Sequence, residues 1–340
     1  MACCANCFGD RYLTEHIAAL SSLKGDCPYC LSKGVDLIEP KLLVSNFSIL
    51  ISIYEPDASG KPLVEWLKSD WNLFNNERMN GERVAGLLAE ILGDAKIVEQ
   101  QFSPSTKYQG RAALNLWEQL CDELMYKNRY FLSSQLDLDW IGELLELLPA
   151  LDVPGIWYRA RIQTGEKKFT IGEMEAPPKR LATHGRANPS GIPYLYVSST
   201  QNVAVSEVRP HVGDLVCVAP VEISAGTGFV DLCNPRKLIT PFPLDDEDKI
   251  GLLRVDIPFL ERLGEELTRP VSPQGAAIDY VPSQYLCEFI KSRRKAGVIY
   301  RSSVGDGRNL ALFDPGQATF VDVEQFRVTR VSADIQKVDS

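Results

Sequence analysis

Two Cys-x-x-Cys turns, Cys4–Cys7 and Cys27–Cys30, stand nineteen residues apart and constrain the start of the chain more tightly than any other feature. A two-residue spacer lets both thiolates of a turn reach one metal ion while backbone amides point at the sulfurs. Two such turns at this separation are the pattern of a zinc ribbon or treble-clef knuckle. The alternatives are a disulfide pair or a chance spacing. Cys3 offers a second register, but only Cys4 keeps the spacing. Four thiolates around one divalent cation leave no open coordination position, so Cys4, Cys7, Cys27 and Cys30 are expected to hold a structural zinc within residues 1–38. The acidic neighbours Asp10, Glu15 and Asp26 favour a packing or interaction role for this knuckle over nucleic-acid binding.

The other four cysteines, Cys121, Cys217, Cys233 and Cys287, are scattered in apolar contexts and read as buried thiols of a reducing compartment. A length of 340 residues suggests two or three domains. The formal charge of -9 is uneven: residues 1–150 carry 13 Lys and Arg against 21 Asp and Glu, and residues 151–340 carry 23 against 24. Broad sequence-independent binding to nucleic acid needs a basic face, which this balance argues against; a local basic pocket is still compatible with it. No stretch approaches the roughly eighteen apolar residues of a membrane span, and Met-Ala-Cys-Cys lacks the build of a secretory signal, so a cytoplasmic protein is expected.

Residues 39–150 show apolar positions recurring at three and four, as in Val84, Leu87, Leu88, Ile91 and Leu92, and again in Leu114, Trp117, Leu120, Cys121 and Leu124. The spacing predicts a helical bundle, with one helix ending at Gly93-Asp94 and another capped within Asp137 to Asp139. Polar faces opposite the Leu and Trp stripes mark those stripes as core. Residues 11–20 read as a short amphipathic helix with Leu13, Ile17 and Leu20 inward. Its Arg11-x4-His16 matches the two-residue pattern of the HEPN ribonucleases, although here it lies between two metal-binding turns.

After Pro149 and Pro154 the texture changes to short β-branched and aromatic runs, and 151–330 reads as an α+β domain followed by a tail at 331–340. Strands are expected at 157–162, 214–223, 228–232 and 298–303, with a final strand pair at 309–313 and 319–323. Helices are expected over 245–267 and from Pro282 to a stop at Gly297, and an ordered loop over 165–185. Arg159 and Arg161 share one face of a strand, and either grip a diphosphate with forked hydrogen bonds or sit on a solvated face. Residues 185–207 combine a polar loop, Tyr194 and Tyr196 on a strand, and Glu207 at the end of a helix.

These residues resemble the RES domain family. Gly185-Arg186-x-Asn188-x-x-Gly191-x-Pro193 looks like its Gly-Arg-x-Asn loop, with Ala187 where the family often has tryptophan. Tyr196-x-x-x-x-x-x-x-Ala204-x-x-Glu207 looks like its Tyr-to-Ala-x-x-Glu segment. Tyr300-x-Ser302-Ser303 with Asn309-x-x-Leu312-Phe313 looks like its serine strand. The cysteine turns and helical part are similar to the HEPN/RES N-terminal region that some members carry. The resemblance implies an ADP-ribosyltransferase-like mixed sheet that binds NAD and breaks its nicotinamide–ribose bond, by hydrolysis, phosphorolysis or transfer of ADP-ribose. It also implies a toxin restrained by an antitoxin or other inhibitory protein, and leaves a homodimer open.

On that resemblance Glu207 is the expected catalytic carboxylate, and Arg186 holds the diphosphate or ribose side with Asn188 helping to place it. Tyr196 stacks on the nicotinamide ring, with Tyr194 as a second wall or a core residue. Ser302, with Ser303 beside it, bonds the ribose or orients Glu207, and Arg159 and Arg161 complete a phosphate pocket. Two other classes compete. One is an RNA-binding or RNA-cutting protein using the zinc ribbon with Arg11 and His16; the other is a non-enzymatic scaffold built on the acidic bundle.

Overall fold

Asp10 begins the first helix by accepting the Leu13 amide on Oδ1 at 2.9 Å, satisfying one of the free N–H groups that every helix start leaves. The computed structural model describes residues 1–108, 113–133, 136–224, 228–272 and 274–332, so the expected tail from 333 onward lies outside the described residues. The chain divides into two compact units, Met1–Leu114 with Asn234–Glu261, and Asn115–Cys233 with Arg262–Ser340.

In the first unit α1 (Arg11–Leu20) buries Leu13 and Ile17. Leu20, expected inward with them, is 44% exposed, because the backbone turns extended at Ser21 and the helix stops before that face closes. β1 (Leu23–Gly25) pairs antiparallel with β2 (Val35–Leu37), and Cys3 and Ile38 exchange backbone hydrogen bonds at 2.9 and 3.0 Å. α2 (Val44–Ile51), β3 (Tyr54–Pro62), α3 (Leu63–Trp71), α4 (Gly81–Leu92) and β4 (Gln101–Pro104) follow. Asn80 caps α4, which buries Val84, Leu87, Leu88 and Ile91 and ends at Gly93 with φ +68, as the sequence pattern requires. The rings of Phe8, Phe47 and Phe74 meet with centroids 5.5 to 6.2 Å apart at the centre of this core.

The middle of the chain is not purely helical. β3 and β4 form an antiparallel ribbon with a register shift between Pro56 and Lys61. The stretch Tyr-Glu-Pro-Asp-Ala-Ser-Gly-Lys-Pro has two prolines and no apolar alternation, so it carries no strand signal; tertiary pairing makes the strand. Gly60 permits the close approach, since a Cβ there would collide with the Phe102 carbonyl.

The rest of the chain runs α5 (Ala113–Tyr126), α6 (Leu138–Glu146, capped by Asp137), β5 (Trp157–Ile162), α7 (Ile171–Met174), β6 (Leu195–Ser198), α8 (Gln201–Glu207), β7 (Leu215–Ile223) and β8 (Phe229–Asp231). It continues with α9 (Pro235–Leu238), α10 (Glu247–Thr268), within which the division between units falls, then α11 (Ala276–Asp279), α12 (Val281–Ser292), β9 (Gly297–Arg301), β10 (Arg308–Leu312), β11 (Ala318–Phe320) and β12 (Glu324–Arg327). The second unit is built on a mixed sheet of eight strands in the order β11-β7-β5-β6-β10-β9-β8, with β12 also on β7. Among the described residues β8 and β9 alone pair in parallel. The fold is thus α+β, with the sheet in the C-terminal part as expected. β10 and β11 are not the expected strand pair: β10 lies between β6 and β9, whereas β11 lies against β7. Among the described residues no helix is long and apolar enough to cross a membrane.

Strand alternation divides the sheet into two faces. Trp157, Leu195, Val197, Val221, Ile299, Leu310 and Leu312 form one buried apolar cluster. The pairings Tyr158↔Ser198, Ser198↔Asn309 and Asn309↔Tyr300 place four polar or aromatic residues in one row across β5, β6, β10 and β9, on the opposite face. That row is the foundation of the candidate site.

Candidate functional site

Two places gather chemically capable side chains. In the first unit the Sγ atoms of Cys4, Cys7, Cys27 and Cys30, all buried, lie within 4.8 Å of one another. The close contacts join the two turns, Cys4 to Cys30 at 3.4 Å and Cys7 to Cys27 at 3.4 Å, far beyond the roughly 2.0 Å of a disulfide. Sulfurs about 2.3 Å from a tetrahedral zinc stand about 3.8 Å from each other, so the donor set fits that ion. Cys3 is buried but outside this group. His16 stacks on Tyr12 with centroids 5.5 Å apart.

The second place is a cavity of about 550 Å³ on the polar row of the sheet. Among the described residues its wall carries Arg159, Arg161, Arg186 and Arg209 against a single acid, Glu207. Four guanidiniums around one carboxylate, in a chain of net charge -9, describe a pocket for an anionic ligand. Tyr158, Tyr196, Tyr280 and Tyr300 add aromatic surface. Its size falls in the range of small-molecule sites.

Glu207 ends α8, which Thr200 opens by accepting the Val203 amide. Glu207 Oε1 accepts from Ser302 Oγ at 2.7 Å and from Asn309 Nδ2 at 2.5 Å. Asn309 is itself fixed, its Oδ1 accepting from Ser198 Oγ at 2.7 Å within the buried row. Oε2 has no hydrogen-bond partner among the described residues and the side chain is exposed, so one oxygen is held and the other is open. No ion pair joins Glu207 to Arg209 among the described residues.

The 185–196 segment is locked by its own polar groups. Tyr196 donates to Asn188 Oδ1 at 2.7 Å and accepts from the Ala187 amide at 2.9 Å, and burial pushes its phenol well above the usual value. Asn188, itself buried, donates to the carbonyls of Thr183, Pro189 and Ile192. Gly185 has no room for a side chain, because a Cβ would come 2.7 Å from the Tyr196 hydroxyl. Arg186 emerges from this loop, donates from Nη1 to the Arg269 carbonyl at 2.8 Å and lies over the Tyr280 ring at 5.2 Å.

β5 and β6 pair at one position only, and Arg159 Nη1 reaches across to the Tyr196 carbonyl at 3.2 Å. Burial and the neighbouring Arg161 lower the Arg159 guanidinium to about 10, still charged at neutral pH. Its Nε is buried with no partner among the described residues, a donor that a bound anion can take. Arg161 donates to the Glu173 carbonyl and lies over the Phe169 ring at 5.0 Å.

The cavity therefore gathers Arg159, Arg161, Arg186, Tyr196, Glu207 and Ser303, with Ser302 behind Glu207. Asn188 and Tyr194 do not line it: Asn188 builds the loop, and Tyr194 is buried against Phe313 at 4.9 Å. Sequence reasoning missed Asn309 as a partner of the carboxylate, Ser198 as the group that fixes Asn309, and Tyr158, Tyr280 and Arg209 as wall residues. A serine and an asparagine inside otherwise apolar strands were the available signal, since buried polar groups need partners.

A family model described as RES domain matches residues 156–331. No curated protein matches the chain. Among solved structures, 56% of this chain and 94% of the other align with a chain of the crystal structure of the M. tuberculosis MbcT-MbcA toxin-antitoxin complex, at 13% identity and a TM-score of 0.34, a likeness too loose to transfer detail.

Proposed function

The chain belongs to the RES domain family, and on that premise we propose that it is an enzyme that binds NAD and breaks the nicotinamide–ribose bond. The observation that carries the reading is the Glu207 carboxylate, held on one oxygen by Ser302 and Asn309 in the wall of an arginine-lined cavity. As the bond breaks, its electron pair leaves with nicotinamide and the ribose carbon takes on oxocarbenium character. A fixed carboxylate stabilises that charge and orients the acceptor. Arg186 and Arg159 neutralise the diphosphate, Tyr196 and Tyr280 flank the ring, and the Ser302 hydroxyl keeps Glu207 aimed. Ser302 is a positioning group in this scheme, since its hydroxyl already donates its hydrogen bond to Glu207.

On this reading residues 151–330 carry the catalysis, 39–150 form the helical region and 1–38 the knuckle. Cys4, Cys7, Cys27 and Cys30 hold one structural zinc, with no position left for a water. An enzyme that depletes NAD would be restrained by an inhibitory protein, as the family resemblance implies.

Purified protein incubated with NAD should release nicotinamide, and Glu207→Ala should abolish the release while leaving the melting temperature within a few degrees. Chromatography of products in buffers with and without phosphate separates ADP-ribose from its phosphorylated form and from ADP-ribosylated protein. Intact NAD after long incubation in both buffers, with the protein free of bound partners, would overturn the reading.

A further inference from the structure

Arg186, the cation that emerges from the Gly185–Asn188 loop, does not hold its own position. Its Nη1 leans on the Arg269 carbonyl and its guanidinium lies on the Tyr280 ring, so its placement depends on two segments that converge from the ends of α10 and α11. One side chain joins those segments. Arg269 Nη2 donates to the Asp279 carbonyl at 2.5 Å, next to Tyr280, while its Nε faces Glu266 Oε2 at 3.2 Å as an ion pair without hydrogen-bond geometry. Glu266 is almost wholly enclosed and is further fixed by Arg262 Nη1 at 2.7 Å and Trp117 Nε1 at 3.3 Å. A buried carboxylate held this way is a rigid anchor, and removing one partner of such a group is costly. Ser283 completes the arrangement, donating from Oγ to the carbonyls of Arg186 at 2.5 Å and Tyr280 at 3.0 Å.

We infer that Arg269 is a positioning residue for substrate uptake: anchored on Glu266, its guanidinium straps Asp279 to the end of α10 and so presets both Arg186 and Tyr280. The planar guanidinium suits this task, because one end donates to the Asp279 carbonyl while the other stays in ion-pair contact with the Glu266 carboxylate. The inference rests on the NAD reading for the identity of the substrate, but the strap itself is independent of it. Glu207, Ser302 and Asn309 lie on other elements and keep their hydrogen bonds when Arg269 is changed, so binding suffers before bond cleavage does.

The test compares wild type, Arg269→Ala and Arg269→Lys by amide hydrogen exchange and by steady-state nicotinamide release from NAD. In Arg269→Ala, exchange at 185–188 and 276–281 should rise about tenfold while β10 is unchanged; KM should rise about tenfold with kcat within about threefold. Arg269→Lys keeps a charge opposite Glu266 but offers one nitrogen for two acceptors, so it should fall between, and it carries the test if the alanine variant does not fold. Unchanged exchange in the two segments, or an increase that spreads equally through β10, overturns the strap. A selective rise in exchange with kcat lowered and KM unchanged overturns the assignment to substrate uptake. A selective rise with no nicotinamide released by the wild type sustains the strap and overturns the NAD reading instead.

Discussion

The cysteine cluster of the first unit and the cavity of the second are each made by bringing distant polar side chains together, yet they end in opposite states. The four sulfurs are buried and turn toward one another, so the proposed zinc would spend their bonding capacity within the cluster. Around Glu207 the capacity is only partly spent: Oε1 takes two hydrogen bonds, Oε2 takes none among the described residues, and Arg159 Nε is enclosed without a partner. A saturated set holds a fold, whereas an unsaturated set held rigid on one side is prepared for something that is not yet there. Residue type alone would rank the cysteines as the more reactive groups; their geometry ranks them second.

The largest effect that could break this contrast is removal of the zinc proposed for the cluster. Chelation, or Cys27→Ser, should release one equivalent of zinc and expose the Cys3–Ile38 backbone pairing to exchange, a loss on the order of 10 kcal/mol for a knuckle of this kind. Nicotinamide release should persist; if it disappears in step with the zinc, the cluster is more than architecture. Next in size is Asn309→Ala, which frees Glu207 on one side and leaves the Ser198 hydroxyl without its acceptor. A fall in kcat of about 10–100-fold, equivalent to about 1.4–2.7 kcal/mol, is expected with KM little changed. Tyr196→Phe should give the smallest change. Its hydroxyl is engaged by Asn188 and the Ala187 amide, so urea unfolding should report a loss of about 1 kcal/mol and kcat should move little. A collapse of kcat would show that the hydroxyl is chemical after all.

Much of this was legible in the chain. The cysteine spacing, the Asp137 cap, the Gly93 stop and the α+β texture after Pro154 are local signals and survive into the fold. Arg186, Tyr196, Glu207 and Ser302 could be singled out because three short motifs occur in order. What could not be read is what depends on register. Asn309 meets Ser198 and Glu207 only because β10 lies between β6 and β9, and the expected pairing of β10 with the 319–323 run would have sent it elsewhere. Asn188 and Tyr194 illustrate the same limit from the other side. Their residue types suit a ligand pocket, but the loop needed an amide to tie three carbonyls, and the core needed a ring against Phe313. The β3–β4 ribbon was invisible for want of any apolar alternation.

Glu207 is separated in the chain from Ser302 by 95 residues and from Asn309 by 102. A ribosome therefore delivers the carboxylate long before the two groups that aim it, one just past the end of β9 and the other on β10. Nascent chains carry the arginines and the acid without that constellation, so on the proposed reading nicotinamide release starts only once β9 and β10 have been made and paired. On that reading a premature stop between residues 262 and 302 would leave a product that keeps the whole first unit and lacks both groups that aim Glu207.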